Sequence, residues 1–156
     1  MTIRQAWFRT FAAAVVLGAP SWAAAQLPSS YHTPGATVKA DVAKVCSGDL
    51  AAAAKPVSKW QRDEALTRYG RRPEDFTGDL DHLIPLSLGG SNDPDNLWPQ
   101  PVQREFGPEA KGKLESTLRE MVCTEKTMTL KQAQEVIKKD WVKAYTQYVQ
   151  GQNAAK

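Results

Sequence analysis

The chain has 156 residues, with 20 Lys and Arg against 17 Asp and Glu, a formal charge of +3. That excess is too small for a domain that grips nucleic acid by bulk charge alone. Only two histidines are present, which argues against a three-His zinc site or an H-E-x-x-H protease.

The N-terminus reads as a secretory signal peptide. Arg4 and Arg9 precede an apolar run over 11–19, too short to span a bilayer as a helix. After Pro20 comes "SWAAAQ", whose small residues Ala23 and Ala25 place cleavage before Gln26. Residues 1–25 are therefore set aside, and the mature protein is expected in the periplasm or secreted, with no membrane association after cleavage. Removing Arg4 and Arg9 leaves 18 basic against 17 acidic side chains, formally +1. The charge is segregated: residues 55–72 hold six basic and two acidic residues, and 74–95 hold six acidic residues and no Lys or Arg. Such runs are often only solvated surface, but they would also suit a phosphodiester held beside a bound cation. Cys46 and Cys123 fall one in each half of the mature chain, and export favours a disulfide between them over two free thiols or a metal pair.

Residues 26–37, "QLPSSYHTPGAT", are rich in turn formers and read as an extended, mobile lead-in in which His32 is incidental. The following stretch, 38–57, has no clean period and its structure is left open. In "SKWQRDEALTRYG", Ser58 and Gln61 form a capping box, Trp60, Leu66 and Tyr69 give one partly apolar side, and Gly70 ends the helix. Residues 79–84 have the length of a short strand, Gly89 and Gly90 permit a tight turn, and Asn96, Leu97 and Trp98 can pair back. Ala110, Leu114, Leu118, Met121 and Val122 recur at helical spacing behind Pro108. Thr129 and Gln132 form a second capping box ahead of one stripe of Leu130, Ala133, Val136, Ile137, Trp141, Ala144, Tyr145 and Tyr148, which is helix-packing surface. The expected fold class is α+β: a short hairpin plus a helix, with flanking helices and one disulfide. Residues 26–57 form a lead-in and N-terminal segment, and 58–156 the core with its helices, together one domain.

The centre of the chain, "DHLIPLSLGGSNDPDNLWPQ" over 81–100, carries a pattern DH-I-P-x-x-x-GG-x-x-x-x-x-NL that resembles the core of HNH endonucleases, the ββα-metal fold. "TPGAT", Cys46-x-Gly48, "YG", "K-x-x-LE", "VC" and "AQ…W…AY" extend the resemblance over most of the mature chain, to a group of exported bacterial HNH-like proteins. The resemblance implies that His82 activates water, that Asp81 ligates a single divalent metal, and that Asn96 holds the loop and orients the imidazole. The chemistry is coherent. An unperturbed imidazole titrates near working pH, and a divalent cation can stabilise the leaving oxygen. Neighbours on a strand point to opposite faces, so Asp81 and His82 have separate roles.

The His or Asn that closes the HNH signature on the helix has no counterpart here. Glu115 is the candidate second ligand, for Mg²⁺ or Mn²⁺, with Zn²⁺ as an alternative; its rival role is an ion pair with Arg119. Glu105 and Glu109 are weaker candidates. The two glycines are backbone devices rather than a phosphate loop, since no Lys-Ser or Lys-Thr follows them. The implied function is metal-dependent endonuclease action on DNA, or on RNA, with little sequence preference. Phosphate contacts are expected from Lys55, Lys59, Arg62, Arg68, Arg71 and Arg72. The rival reading is an exported binding or structural module on an HNH scaffold that has lost turnover. No protein partner is indicated.

Overall fold

A computed structural model of the chain describes residues 27–102 and 106–151. The expected signal peptide, its cleavage point before Gln26, and Glu105 lie outside the described residues. The architecture is α+β. In chain order come α1 (Val42–Ser47), α2 (Asp49–Ala52), α3 (Lys59–Arg68), β1 (Asp79–His82), β2 (Leu97–Gln100), α4 (Pro108–Cys123) and α5 (Leu130–Tyr145), which runs on into a π-helical turn, Thr146–Gln150. Among the described residues no helix is long and apolar enough to cross a membrane.

The two strands form an antiparallel hairpin with Asp79 opposite Gln100, Leu80 opposite Pro99, Asp81 opposite Trp98 and His82 opposite Leu97. β1 is shorter than the expected 79–84 because the chain turns into the loop at Leu83. There the Leu83 N–H donates to the Asn96 carbonyl (2.8 Å). α4 and α5 pack against each other and against the hairpin loop. They bury Leu114, Leu118, Ala133, Ile137 and Trp141 with Leu83, Ile84, Leu88 and Trp98 in one core. These are the positions the helical spacing selects, because residues three and four apart share a face. Both capping boxes form, Ser58 with Gln61 and Thr129 with Gln132. α5 bends at Asp140, whose backbone leaves helical geometry (φ −170°, ψ 92°).

Two expectations are corrected. Trp60 does not join the buried side of α3: it is 67% exposed, whereas Leu66 is fully buried. The lead-in is extended as read, but it is anchored. Thr33 is 1% exposed, and its hydroxyl donates to the Leu97 carbonyl (3.0 Å) and bonds the Tyr69 hydroxyl (2.8 Å). Gly35 N–H donates to the Asp95 carbonyl (2.8 Å), and Thr37 bridges Gly90. The polar, turn-rich composition of the lead-in conceals backbone groups that find partners on the loop. The stretch left open contains α1 and α2, separated by Gly48 in a left-handed conformation (φ 85°).

Cys46 and Cys123 are joined, as expected, with Cα atoms 5.3 Å apart across a sequence separation of 77. The bond ties α1 to the last residue of α4. Closing a loop of that length stabilises the fold by about 4 kcal/mol on the chain-entropy account.

Candidate functional site

The hairpin loop is built around Asn96, which is completely buried. Its side-chain oxygen accepts from the Ile84 N–H (2.9 Å), and its amide donates to the carbonyls of Ile84 (2.8 Å) and Ser91 (2.9 Å). One side chain thus satisfies three backbone groups across the loop. Gly90 makes that closure possible, since a Cβ there would lie 1.8 Å from the Ile84 carbonyl oxygen. Asn96 therefore holds the loop, and among the described residues it does not hydrogen-bond the imidazole.

Asn92 does. The Nε2 atom of His82 lies 2.7 Å from Asn92 Oδ1, and the amide of Asn92 donates to the Lys55 carbonyl (2.6 Å). The second bond settles the first. Because the Asn92 nitrogen faces a carbonyl, its oxygen must face His82, so Nε2 is the protonated nitrogen of the neutral ring. Nδ1 then carries the lone pair, and no hydrogen bond engages it among the described residues. The imidazole is half-buried at the end of β1. A cavity of about 260 Å³ is lined in part by Lys55, Leu86, Ser91 and Asn92, the partner of the imidazole.

On the other face of β1, Asp81 meets α4. Its Oδ2 accepts from the indole N–H of Trp98 (3.1 Å), directly across the hairpin, and forms an ion pair with the ammonium of Lys111 (2.8 Å). Lys111 also donates to the His82 carbonyl (2.7 Å) and to Glu115, one helical turn on. The ammonium thus stands among three oxygens, donating to two of them, and its side chain is 2% exposed, against 26% for Asp81 and 23% for Glu115. Burial pushes the Glu115 carboxyl above the usual glutamate range, against the opposing pull of Lys111; Asp81 adds to the rise and His82 opposes it.

Asp81 and Glu115 are thus brought together, as expected for a shared site, but around a lysine. Glu115 pairs with Lys111 and not with Arg119, which donates to the carbonyl of Cys46 (2.8 Å). A divalent ion would need these carboxylate oxygens at about 2.0–2.6 Å. The point on which Asp81, Glu115 and the His82 carbonyl converge is taken by the Lys111 ammonium, so the residues as they stand do not fit such an ion there. Among the described residues no group of three or more His, Cys, Asp and Glu gathers to hold a metal. Glu109 instead pairs with Lys113 on the exposed side of α4.

Lys111 was hidden in the sequence by its type. It falls inside the "K-x-x-LE" element of the resemblance, four residues before Glu115, and stands next to Ala110 on the buried face of α4. Asn92 was passed over because Asn96 carries the signature position.

The basic residues divide. Lys59 pairs with Asp63, Arg72 with Asp75, and Arg68 with Glu64 (3.0 Å) and Asp95 (2.5 Å). Arg62 donates to the carbonyls of Pro73 and Phe76 (3.1 and 3.2 Å) and lies over the Phe76 ring. The exposed Lys55 and Arg71 side chains have no ion pair among the described residues. Lys55 lies beside the Asn92–His82 contact. Arg71 lines a cavity of about 530 Å³ with Arg72, Phe76 and Gln100, at the far end of the hairpin.

Comparison with family models, with curated proteins and with solved structures returned no match for the chain.

Proposed function

We propose that the protein hydrolyses phosphodiester bonds in DNA, or in RNA, on a hairpin-and-helix core of the HNH type. The observation that carries the reading is the tethered imidazole: the Lys55 carbonyl fixes Asn92, Asn92 fixes Nε2–H of His82, and Nδ1 is left to take a proton from water. A general base needs a lone pair with a fixed direction more than it needs an unusual environment. The order β1, loop, β2, α4, with Asp81 and His82 at the end of β1, fits the same reading. Lys55, whose carbonyl holds Asn92 and whose side chain is exposed, suits a phosphate of the substrate. A divalent cation would stabilise the leaving oxygen when bound, but the Lys111 ammonium stands where Asp81 and Glu115 would hold it.

The residues act in sequence. Lys55 and Arg71 hold the backbone by charge, without reading bases. His82 takes the proton as water attacks phosphorus, the bond from phosphorus to the leaving oxygen breaks, and that oxygen takes a proton from solvent; the His82 carbonyl, held by Lys111, keeps the end of β1 in place. Export to the periplasm or beyond would give such an enzyme extracellular or incoming nucleic acid as substrate. A second reading, a binding module without turnover, is favoured by the protein's own cation filling the space between the carboxylates.

One experiment separates the two. The oxidised protein is incubated with supercoiled plasmid in EDTA and, separately, with Mg²⁺, Mn²⁺ or Zn²⁺, beside the His82→Ala variant. The hydrolase reading expects nicking that falls about 10²–10⁴-fold in the variant, the usual contribution of a general base. DNA binding with no cleavage that His82→Ala removes, under any of these conditions, leaves the binding module.

A further inference from the structure

We infer that Lys111 is a built-in cation, seated at the point between Asp81 and Glu115 where the family resemblance would place a divalent metal. Four observations converge. The ammonium is surrounded by oxygens from three sources: the Asp81 carboxylate (2.8 Å), the backbone carbonyl of His82 (2.7 Å) and the Glu115 carboxylate. Converging hard oxygens from separate elements are what a small hard cation takes. A lysine is almost never fully buried unless its charge is met, and this side chain, 2% exposed, donates two hydrogen bonds and ion-pairs with both carboxylates. The helix places it there by register, since Ala110, Lys111, Leu114 and Leu118 occupy one buried face of α4. Finally, the carboxylates of Asp81, at the end of β1, and Glu115, on α4, would repel each other and the phosphodiester without a positive charge between them, and Lys111 supplies that charge without a diffusible ion.

A divalent ion at this point would meet the ammonium head-on and gain only ligands already engaged. Lys111 therefore occupies and closes the metal position, and it positions His82 by holding the carbonyl of the same residue. Because its ammonium is buried among the protein's own oxygens, it is a positioning residue and does not itself contact the phosphate. The consequence for hydrolysis, cleavage that persists in EDTA, rests on the proposed function; the occupancy of the cation position does not.

The test therefore reads cation binding, with Mn²⁺ alone as the probe. Wild type, Asp81→Asn, Lys111→Ala and the double variant Asp81→Asn with Lys111→Ala are titrated with MnCl₂ by calorimetry, with the Mn²⁺ spin resonance signal reporting free ion. The wild type should show no saturable site that Asp81→Asn removes. Lys111→Ala should gain one Mn²⁺ site at least about tenfold tighter than any in the wild type, since it removes a like charge from the site. The double variant should lose it. A lysine with a merely structural role would change stability on substitution and leave cation affinity where it was. If the alanine variant does not fold, Lys111→Gln keeps most of the buried stem, removes the charge, and carries the same expectation. The inference is overturned if the wild type binds one Mn²⁺ that Asp81→Asn abolishes, or if the folded Lys111 variants gain no affinity. Failure of the plasmid assay would count against the hydrolase and leave this comparison intact.

Discussion

The loop between the strands and the basic helix α3 treat polar side chains differently, burying one and leaving the others near solvent. In the loop, Asn96 and Asn92 each engage more than one fixed group, and the positions of those groups are set by backbone. On α3, Lys59 and Arg68 find acids one turn away, and Arg62 caps carbonyls of the following turn. A buried amide left unpaired is costly, so its partners are specified. An exposed ammonium loses little in water, so it accepts whichever acid is near. Function can be argued from the first kind of contact and only weakly from the second.

The largest expected effect breaks the first half of this contrast. Asn96→Ala should cost about 3 kcal/mol or more of unfolding free energy, because it strands the Ile84 N–H and C=O and the Ser91 C=O, each worth about 1–3 kcal/mol when buried without a partner. Denaturant unfolding of the oxidised protein measures it. A loss below about 1 kcal/mol, the size of a surface substitution, would mean that water replaces these bonds and that the loop is not built on this side chain.

A smaller effect sharpens the second half. If Lys55 and Arg71 are the side chains left for phosphate, changing both to Ala should lower the slope of log affinity against log salt for duplex DNA by about two contacts' worth. Changing Arg62 and Arg68 to Ala should leave that slope as it was, since both are engaged within the protein. Filter binding across a salt series checks both. The reverse pattern would show that the α3 ion pairs open on binding.

The same contrast explains what could be read from the sequence. The hairpin, the disulfide, both capping boxes and the stripes of α4 and α5 were legible because each depends on residues at fixed short spacing or on a single pairing. The divergence of Asp81 and His82 to opposite faces of β1 was legible because adjacent strand residues point apart. The partner of the imidazole was not. Asn92 and Asn96 are both loop asparagines, and which one reaches His82 depends on the path that Asn96 itself imposes. Lys111 was not legible either: a lysine four residues before a glutamate reads as a surface pair, and only the packing of α4 on β1 turns it inward. The basic run of 55–72 promised more phosphate contacts than the structure leaves free, because charge composition does not say where the acids of the next loop will stand.

The central claim is that the loop presents Nδ1 of His82 as a proton acceptor. It is tested most directly by long-range nitrogen–proton correlation spectra of the His82 ring in its neutral form. The account predicts the tautomer with Nε2 protonated and Nδ1 bare, and it predicts that Asn92→Ala, which removes the acceptor holding that proton, loses the preference while the protein stays folded. A wild-type ring protonated at Nδ1 would contradict it, because the nitrogen assigned to water would then have no lone pair to offer.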